Sequence, residues 1–123
     1  MHRVLIVDDE SLIADTLGLI FRRHGFEAKV VYTADDALQC ARSFAPELLL
    51  CDINMPVRSG LELMGDFSRE LPDCRVLVLT GYPSNLTRVR EQMVKHRHPV
   101  RVLTKPCAPA ELLREAGQML ARA

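Results

Sequence analysis

Short, nearly continuous hydrophobic runs alternate with amphipathic stretches along this chain. Such runs are typical of parallel strands that are covered on both faces of a sheet. Between the runs, apolar residues recur at the spacing of helix faces. The pattern therefore predicts an alternating strand–helix chain with a parallel sheet between layers of helices. The predicted strands are residues 4–7, 28–32, 48–51, 76–79 and 100–103.

Residues that begin or end helices mark the stretches between the strands. A basic turn at residues 22–24 followed by Gly25 predicts a helix end with the glycine in the left-handed conformation. Thr33 is a good N-cap, Pro46 requires the second helix to end before it, and Pro109 is favoured in a first helical turn. The predicted apolar faces are Ile13, Leu17, Ile20 and Phe21; Leu63, Met64, Phe67 and Leu71, before Pro72; Leu86, Val89, Met93 and Val94, in a helix from near Ser84; and Leu112, Leu113, Ala116 and Leu120.

Length and composition narrow the classes of protein. The 123 residues, with a mass of 13.9 kDa, suffice for one domain with its own core. Sixteen basic and sixteen acidic residues balance, which argues against a nucleic-acid binder or a polybasic membrane-surface protein. No apolar run approaches the roughly 18 residues that cross a bilayer. The cysteines have neither C-x-x-C nor zinc-finger spacing, so we expect free thiols in a reducing cytoplasm: Cys40, Cys51, Cys74 and Cys107.

Residues suited to phosphoryl chemistry follow four of the predicted strands. Asp8 and Asp9 follow the first strand, Asp52 the third, Thr80 the fourth and Lys105 the fifth. Each alone has an ordinary explanation as a helix cap, a turn residue or a solvated charge. Together they lie where ligands bind in such folds, beyond the carboxyl ends of the strands. Clustered carboxylates require a cation such as Mg²⁺, and a carboxylate can accept a phosphoryl group whose oxygens suit Lys and Thr.

At this point a family resemblance becomes visible. Over nearly its full length, the chain resembles the receiver domain of two-component response regulators. The resemblance implies a flavodoxin-like doubly wound (βα)5 fold, with a five-stranded parallel sheet of order 2-1-3-4-5 between two layers of helices. The four motifs that carry it are Val4-Leu5-Ile6-Val7-Asp8-Asp9-Glu10; Leu50-Cys51-Asp52-Ile53-Asn54-Met55-Pro56 with Gly60 following; Val78-Leu79-Thr80-Gly81; and Lys105-Pro106.

The resemblance also implies a reaction and a metal. Asp52 would accept a phosphoryl group from the phosphohistidine of a sensor histidine kinase or a phosphotransfer protein. Asp9 and Asp52 would bind Mg²⁺, or Mn²⁺, directly. The backbone carbonyl of Asn54 would be a third ligand, and Asp8 would act mainly through water. Such a protein is a phosphoacceptor that assists its own phosphorylation and dephosphorylation rather than an enzyme.

Further site residues are assigned by the same resemblance. Lys105 would pair with the phosphoryl oxygens, and the peptide bond before Pro106 is usually cis in the family. Thr80 would hydrogen-bond the phosphoryl group and move inward, carrying the signal. Asn54 and Tyr82 occupy the two positions that tune attack by water on the acyl phosphate, and the ring of Tyr82 predicts slow dephosphorylation.

Several residues depart from the family pattern on the face that reports the signal. Gly81 replaces the usual Ala or Ser, Val102 the usual aromatic residue, and Cys107 a frequent Phe. The segment 95–99 is unusual and makes the stretch from switch residue to lysine longer than is typical. We therefore expect the signal to reshape the backbone after Gly81, including Tyr82, and to change the face formed by helix four, strand five and helix five.

A basic run lies on this expected output face, and we expect it to face only Glu91 among the acidic residues. Its ordinary interpretation is a solvated helix and loop. The functional alternative is a surface for an acidic partner or for a homodimer, with nucleic acid less favoured because the rest of the chain offsets the charge. The run consists of Arg88, Arg90, Lys95, His96, Arg97, His98 and Arg101.

Other classes of protein remain open from the residues alone. A Mg²⁺-dependent phosphatase that uses an Asp nucleophile needs a second acid two residues later, where Asn54 stands. A flavodoxin-like redox protein needs a phosphate-binding loop, whereas the first strand–helix loop here is acidic. Within the leading class, the chain fits a single-domain cytoplasmic regulator that spans residues 1–123. The alternative is a receiver taken from a longer transcription regulator or hybrid kinase.

Overall fold

The computed structural model describes residues 1–55, 59–81 and 86–121, with Leu86 described in its backbone only. Five parallel strands form one sheet in the order β2-β1-β3-β4-β5. The predicted fold and strand order are confirmed. The strands are β1 Arg3–Val7, β2 Glu27–Val31, β3 Leu48–Asp52, β4 Arg75–Thr80 and β5 Arg101–Thr104, and the helices are α1 Ser11–Arg23, α2 Ala34–Phe44, α3 Gly60–Glu70, α4 Leu86–Met93 and α5 Pro109–Ala121.

The hydrophobic strands are explained by helices on both faces of the sheet. Successive side chains of a strand point to opposite faces. In β1, Leu5 and Val7 pack into a cluster with α2, α3 and α4, while Val4 and Ile6 pack into a cluster with α1 and α5. All four are at most 1% exposed. A strand buried on both sides has no polar face, which explains why these runs do not alternate.

The predicted helix ends are confirmed where the structure describes them. The Thr33 hydroxyl accepts a hydrogen bond of 3.1 Å from the Asp36 N–H, which caps α2. Gly25 has a φ of 87°, in the left-handed region that glycine enters without steric cost. α2 ends at Phe44, before Pro46, and α5 begins at Pro109. The predicted start of α4 near Ser84 lies outside the described residues.

Two predicted helix faces were partly wrong. Ile13 is 37% exposed, because the buried face of α1 is centred on Ala14, Leu17, Gly18 and Phe21. Small residues bring the helix close to the sheet, and a Cβ on Gly18 would lie 2.6 Å from a methyl carbon of Val30 in β2. α4 ends at Met93, so Val94 lies beyond its apolar face and is 84% exposed.

The four cysteines are free thiols, as predicted. Cys51 and Cys74 are buried, and burial raises the pKa of each to about 12. The side chain of Cys51 packs in the cluster with α2 and α3, which agrees with a structural role. Within the described ranges, none of the helices is long and apolar enough to span a bilayer.

Candidate functional site

The sheet brings three predicted acidic residues together at its carboxyl edge. β1 and β3 are neighbours, with Val7 opposite Cys51, so the residues that follow these two leave the sheet side by side. Asp8, Asp9 and Asp52 each offer a carboxylate oxygen, and these oxygens lie within 4.8 Å of one another. Asp8 and Asp52 are buried, whereas Asp9 is exposed. This spacing suits shared binding of one cation.

Backbone N–H groups orient the two buried carboxylates. Asp8 Oδ1 accepts a hydrogen bond of 2.9 Å from the Glu10 N–H. Asp52 Oδ1 accepts one of 3.2 Å from the Asn54 N–H. Both are the local turns that Asp forms with the backbone two residues further on. In each residue the other oxygen, Oδ2, faces the Lys105 ammonium group.

Lys105 reaches the carboxylates from the loop after β5. Its backbone N–H donates a hydrogen bond of 2.8 Å to the Thr80 carbonyl, and its peptide bond to Pro106 is cis, as the resemblance implied. Its Nζ lies 3.2 Å from Asp52 Oδ2 and 3.6 Å from Asp8 Oδ2. One ammonium group therefore faces both buried carboxylates across the edge of the sheet.

The start of α3 lies directly against the end of β3. The Gly60 N–H donates to the Ile53 carbonyl at 3.1 Å. A Cβ on Gly60 would clash with the backbone oxygen of Asp52 and would lie 2.9 Å from Ile53 Cα. A capping box formed by Ser59 and Glu62 sets the first turn of α3. Glycine is therefore required for this close approach, which supports the backbone of Asp52.

The electrostatics of the site favour a bound cation. Burial is the main cause that raises the pKa of Asp8, and the charges of Asp52 and Asp9 add to it, while the Glu10 N–H and Lys105 oppose it. Burial by itself lowers the pKa of Lys105, but the nearby carboxylates of Asp52 and Asp8 raise it overall. The two buried carboxylates thus share one ammonium group, and Asp9 adds a third negative charge beside them. Oxygen donors of this kind fit a hard divalent ion such as Mg²⁺.

An open pocket of about 420 Å³ lies over these groups. Thr80 is fully buried at the end of β4, next to the lining residue Gly81. Val102 is half-buried, opposite Val78 in the sheet, and packs against the cluster with α4. Tyr82 lies outside the described residues. The residues that line the pocket are Asp9, Glu10, Asp52, Asn54, Gly81 and Lys105.

Two residues of the site had no role assigned from the sequence. Gly60 belongs to the motif around Asp52, but its contact with the Asp52 backbone depends on how α3 packs. Glu10 lines the pocket, and its position directly after the acidic pair was the available signal. Beside the site lies an apolar groove of about 430 Å³. It is lined by Ile13, Leu17, Leu79, Lys105, Pro106, Cys107 and Leu112.

The basic run is less isolated than its sequence indicated. Asp73, which precedes β4, lies 2.8 Å from the Arg97 guanidinium and 3.7 Å from His98 Nε2. Arg101 lies 3.4 Å from Glu115 of α5. The expectation that Glu91 is the one facing acid was wrong, because folding brings acids from distant segments. Asp73 and Glu115 thereby pair with two of the five arginine and lysine residues of the run, which weakens the case for an acidic partner.

Comparison with known proteins agrees with this fold and site. The family model of the response regulator receiver domain matches residues 4–116, and the chain belongs to this family. The transcriptional regulatory protein HptR of Staphylococcus aureus (strain N315) is 33% identical over 115 residues. That match covers 91% of this chain and 44% of HptR. The chain thus spans less than half the length of this curated relative.

Solved structures show the same architecture. A CheY-like receiver domain protein of Methanospirillum hungatei JF-1 matches with a TM-score of 0.88 and 27% identity, covering 98% of this chain and 94% of that one. The response regulator TrrA of Thermotoga maritima, in complex with Mg(2+)-BeF, matches with a TM-score of 0.83 and 27% identity, covering 97% and 99%. Receivers are phosphoacceptor signalling domains and generally bind Mg²⁺ at an acidic pocket. Family membership favours a signalling domain over the phosphatase and redox alternatives.

Proposed function

We propose that this chain is the phosphorylation-dependent switch of a two-component system and that Asp52 is its phosphoryl acceptor. The observation that carries this proposal is the position of Lys105 Nζ, 3.2 Å from a buried Asp52 carboxylate in an open acidic pocket. A buried carboxylate faced by a cation and by two further carboxylates has little value for stability. It is well suited to accept a phosphoryl group beside a metal.

In the proposed reaction, an Asp52 carboxylate oxygen attacks the phosphorus of a phosphohistidine. The phosphorus–nitrogen bond breaks, and the imidazole leaves with the electron pair and takes up a proton. Asp52 then carries an acyl phosphate, and Lys105 neutralises part of its charge. Asp9, Asp52 and the Asn54 carbonyl would hold Mg²⁺, with Asp8 acting through water, and the bound ion neutralises charge on the phosphoryl oxygens. TrrA in complex with Mg(2+)-BeF supports this assignment.

Intact-mass measurement tests the acceptor. With Mg²⁺ and acetyl phosphate, we expect the wild-type mass to rise by one phosphoryl group. Asp52→Ala should show no increase, whereas Asp73→Ala, which removes an exposed carboxylate before β4, should label like the wild type. Labelling of Asp52→Ala to the wild-type extent would contradict the assignment.

The positions of Thr80 and Val102 support an output surface on α4, β5 and α5. Thr80 is fully buried at the end of β4, and Val102 packs beside Val78 on the face that carries α4. Val102 is small and stiff at χ1, so it cannot swing as an aromatic ring does. We expect the inward movement of Thr80 to be relieved through the backbone at Gly81, because glycine can adopt conformations that other residues cannot. The change would then reach α4, β5 and α5.

Amide hydrogen exchange with and without beryllofluoride tests this route. We expect protection to change in residues 81–101, which belong to the surface where a partner or a second copy would dock. Changes confined to α1 and α2 would contradict it. The remaining parts of the proposal are a receiver unit over residues 1–123, a sensor histidine kinase or phosphotransfer protein as donor, and a cytoplasmic location. The similarity to HptR, a transcriptional regulatory protein of more than twice this length, supports an output in transcription.

A further inference from the structure

Glu10 occupies a helix-capping position without capping the helix. It is the N-cap residue of α1, with φ −84° and ψ 97°, and its side chain makes no capping hydrogen bond. Ser, Thr, Asp and Asn are the usual N-caps because their short side chains reach the first free N–H groups. Its own N–H is donated to Asp8. The carboxylate of Glu10 is therefore not used to hold the helix.

This exposed carboxylate instead lines the acidic pocket. Glu10 shares the wall with Asn54, Gly81 and Lys105, and among the residues described it is not part of the group whose oxygens lie within 4.8 Å of one another. That group consists of Asp8, Asp9 and Asp52. Glu10 thus adds a negative charge to the approach to Asp52 without belonging to the cluster that would hold the cation.

We propose that Glu10 is a specificity-determining residue that disfavours strongly anionic phosphodonors. Small acyl phosphates would be discriminated against relative to N-phosphoryl donors, which include phosphohistidine. This inference rests on the proposed function of Asp52 and adds to it a choice among donor classes. Its consequence is a switch that acyl phosphates label more slowly than they would without Glu10, which favours the phosphohistidine of a partner protein as donor.

The discrimination follows from charge. Acetyl phosphate carries more negative charge near neutral pH than zwitterionic phosphoramidate, whose protonated nitrogen offsets part of it. Both donors deliver the same phosphoryl group to Asp52: the phosphorus–oxygen bond breaks to release acetate, or the phosphorus–nitrogen bond breaks to release ammonia. Among the described lining residues Lys105 is the one cation, and it already faces two carboxylates. A further carboxylate in a cleft therefore repels the more anionic donor more strongly.

Phosphorylation rates of Glu10→Gln with two donors test the proposal. At low ionic strength and saturating Mg²⁺, we expect the rate with acetyl phosphate to rise about tenfold, the low end of the range for electrostatic steering. The rate with phosphoramidate should change by less than about twofold because that donor carries less charge. Added salt should bring the ratio of the two rates back toward the wild-type value.

Two variants separate charge from other effects. Glu10→Asp keeps the charge and should keep the wild-type ratio. Glu27→Gln removes an exposed carboxylate at the opposite edge of the sheet and should change neither rate. An unchanged donor ratio in Glu10→Gln, or equal loss of rate with both donors, would overturn the role of Glu10. Failure of wild-type protein to label with either donor would instead contradict the acceptor role of Asp52, and this inference would fall with it.

Discussion

Charged side chains are arranged in opposite ways at the two edges of the sheet. At the amino edge, Glu47 lies 2.9 Å from His2 Nδ1 and accepts a hydrogen bond of 3.1 Å from the Arg3 N–H. The hydrogen bond from His2 is the main cause that lowers the pKa of Glu47. At the carboxyl edge, burial is the main cause that raises the pKa of Asp8, and two neighbouring carboxylates add to it.

The difference shows which edge serves stability and which serves function. The amino edge pairs opposite charges and holds the strand ends together. The carboxyl edge groups like charges, which opposes folding in the absence of a cation. Such an arrangement costs stability, which is consistent with the proposed binding of a metal and a phosphoryl group at this edge.

Replacement of Gly60 by Ala should have the largest effect. The added Cβ would clash with the backbone oxygen of Asp52, so α3 or the end of β3 must move. We expect a loss of about 2 kcal/mol or more in the free energy of unfolding, as for other overpacked sites, with slower phosphorylation. Urea denaturation measures the free energy of unfolding, and intact mass over time measures the rate of phosphorylation. Gly117→Ala is the control, because its Cβ would meet no atom of the described residues within 4 Å. Equal stability of both variants would contradict the close-approach argument.

Asp8→Asn should stabilise the metal-free protein. Folding disfavours the ionised form of a carboxyl whose pKa it raises. The resulting loss of stability is absent below pH 3.8, the ordinary pKa of the group, and develops as the pH rises through the folded pKa. At neutral pH we expect the free energy of unfolding to rise by about 1 kcal/mol, the scale of one close charge contact.

The gain in the free energy of unfolding of Asp8→Asn over the wild type should disappear in acid. It should shrink when Mg²⁺ is added to the variant and to the wild type. Thermal melts at neutral pH and below pH ~4, with and without Mg²⁺, measure it. Phosphorylation should slow, since the acidic group loses a charge. A variant less stable than wild type at neutral pH without metal would show instead that Asp8 serves mainly to hold the turn at Glu10.

Glu47→Gln should give the smallest effect and the opposite sign. Since the pKa of Glu47 is lowered on folding, its stabilisation is present above its ordinary value of 4.5 and is lost as the pH falls through the folded pKa. We expect a loss of about 0.5–1 kcal/mol at neutral pH, because the pair is partly exposed. Glu27→Gln, at the same edge, should be near neutral. A loss that persists in acid would mean that packing, not charge, holds this edge.

Much of the local structure could be predicted from the sequence because it depends on nearby residues. The cap at Thr33, the left-handed Gly25 and the start of α5 at Pro109 each follow from the backbone preferences of one or two residues. The site residues could be named because the carboxyl ends of parallel strands meet at one edge. The buried side of α1 was predicted less well, since Gly18 admits a closer approach to β2 than apolar spacing indicates.

By itself, the sequence determined the alternation of strands and helices, their ends, and which polar residues follow each strand. Hydrophobic period and turn chemistry are local properties, and they are sufficient for these features. Tertiary structure alone decided that Lys105 faces Asp52 from 53 positions away, that Gly60 contacts the Asp52 backbone, and that Asp73 offsets Arg97. Such distances depend on strand order and helix packing, which the whole core sets together rather than any one segment.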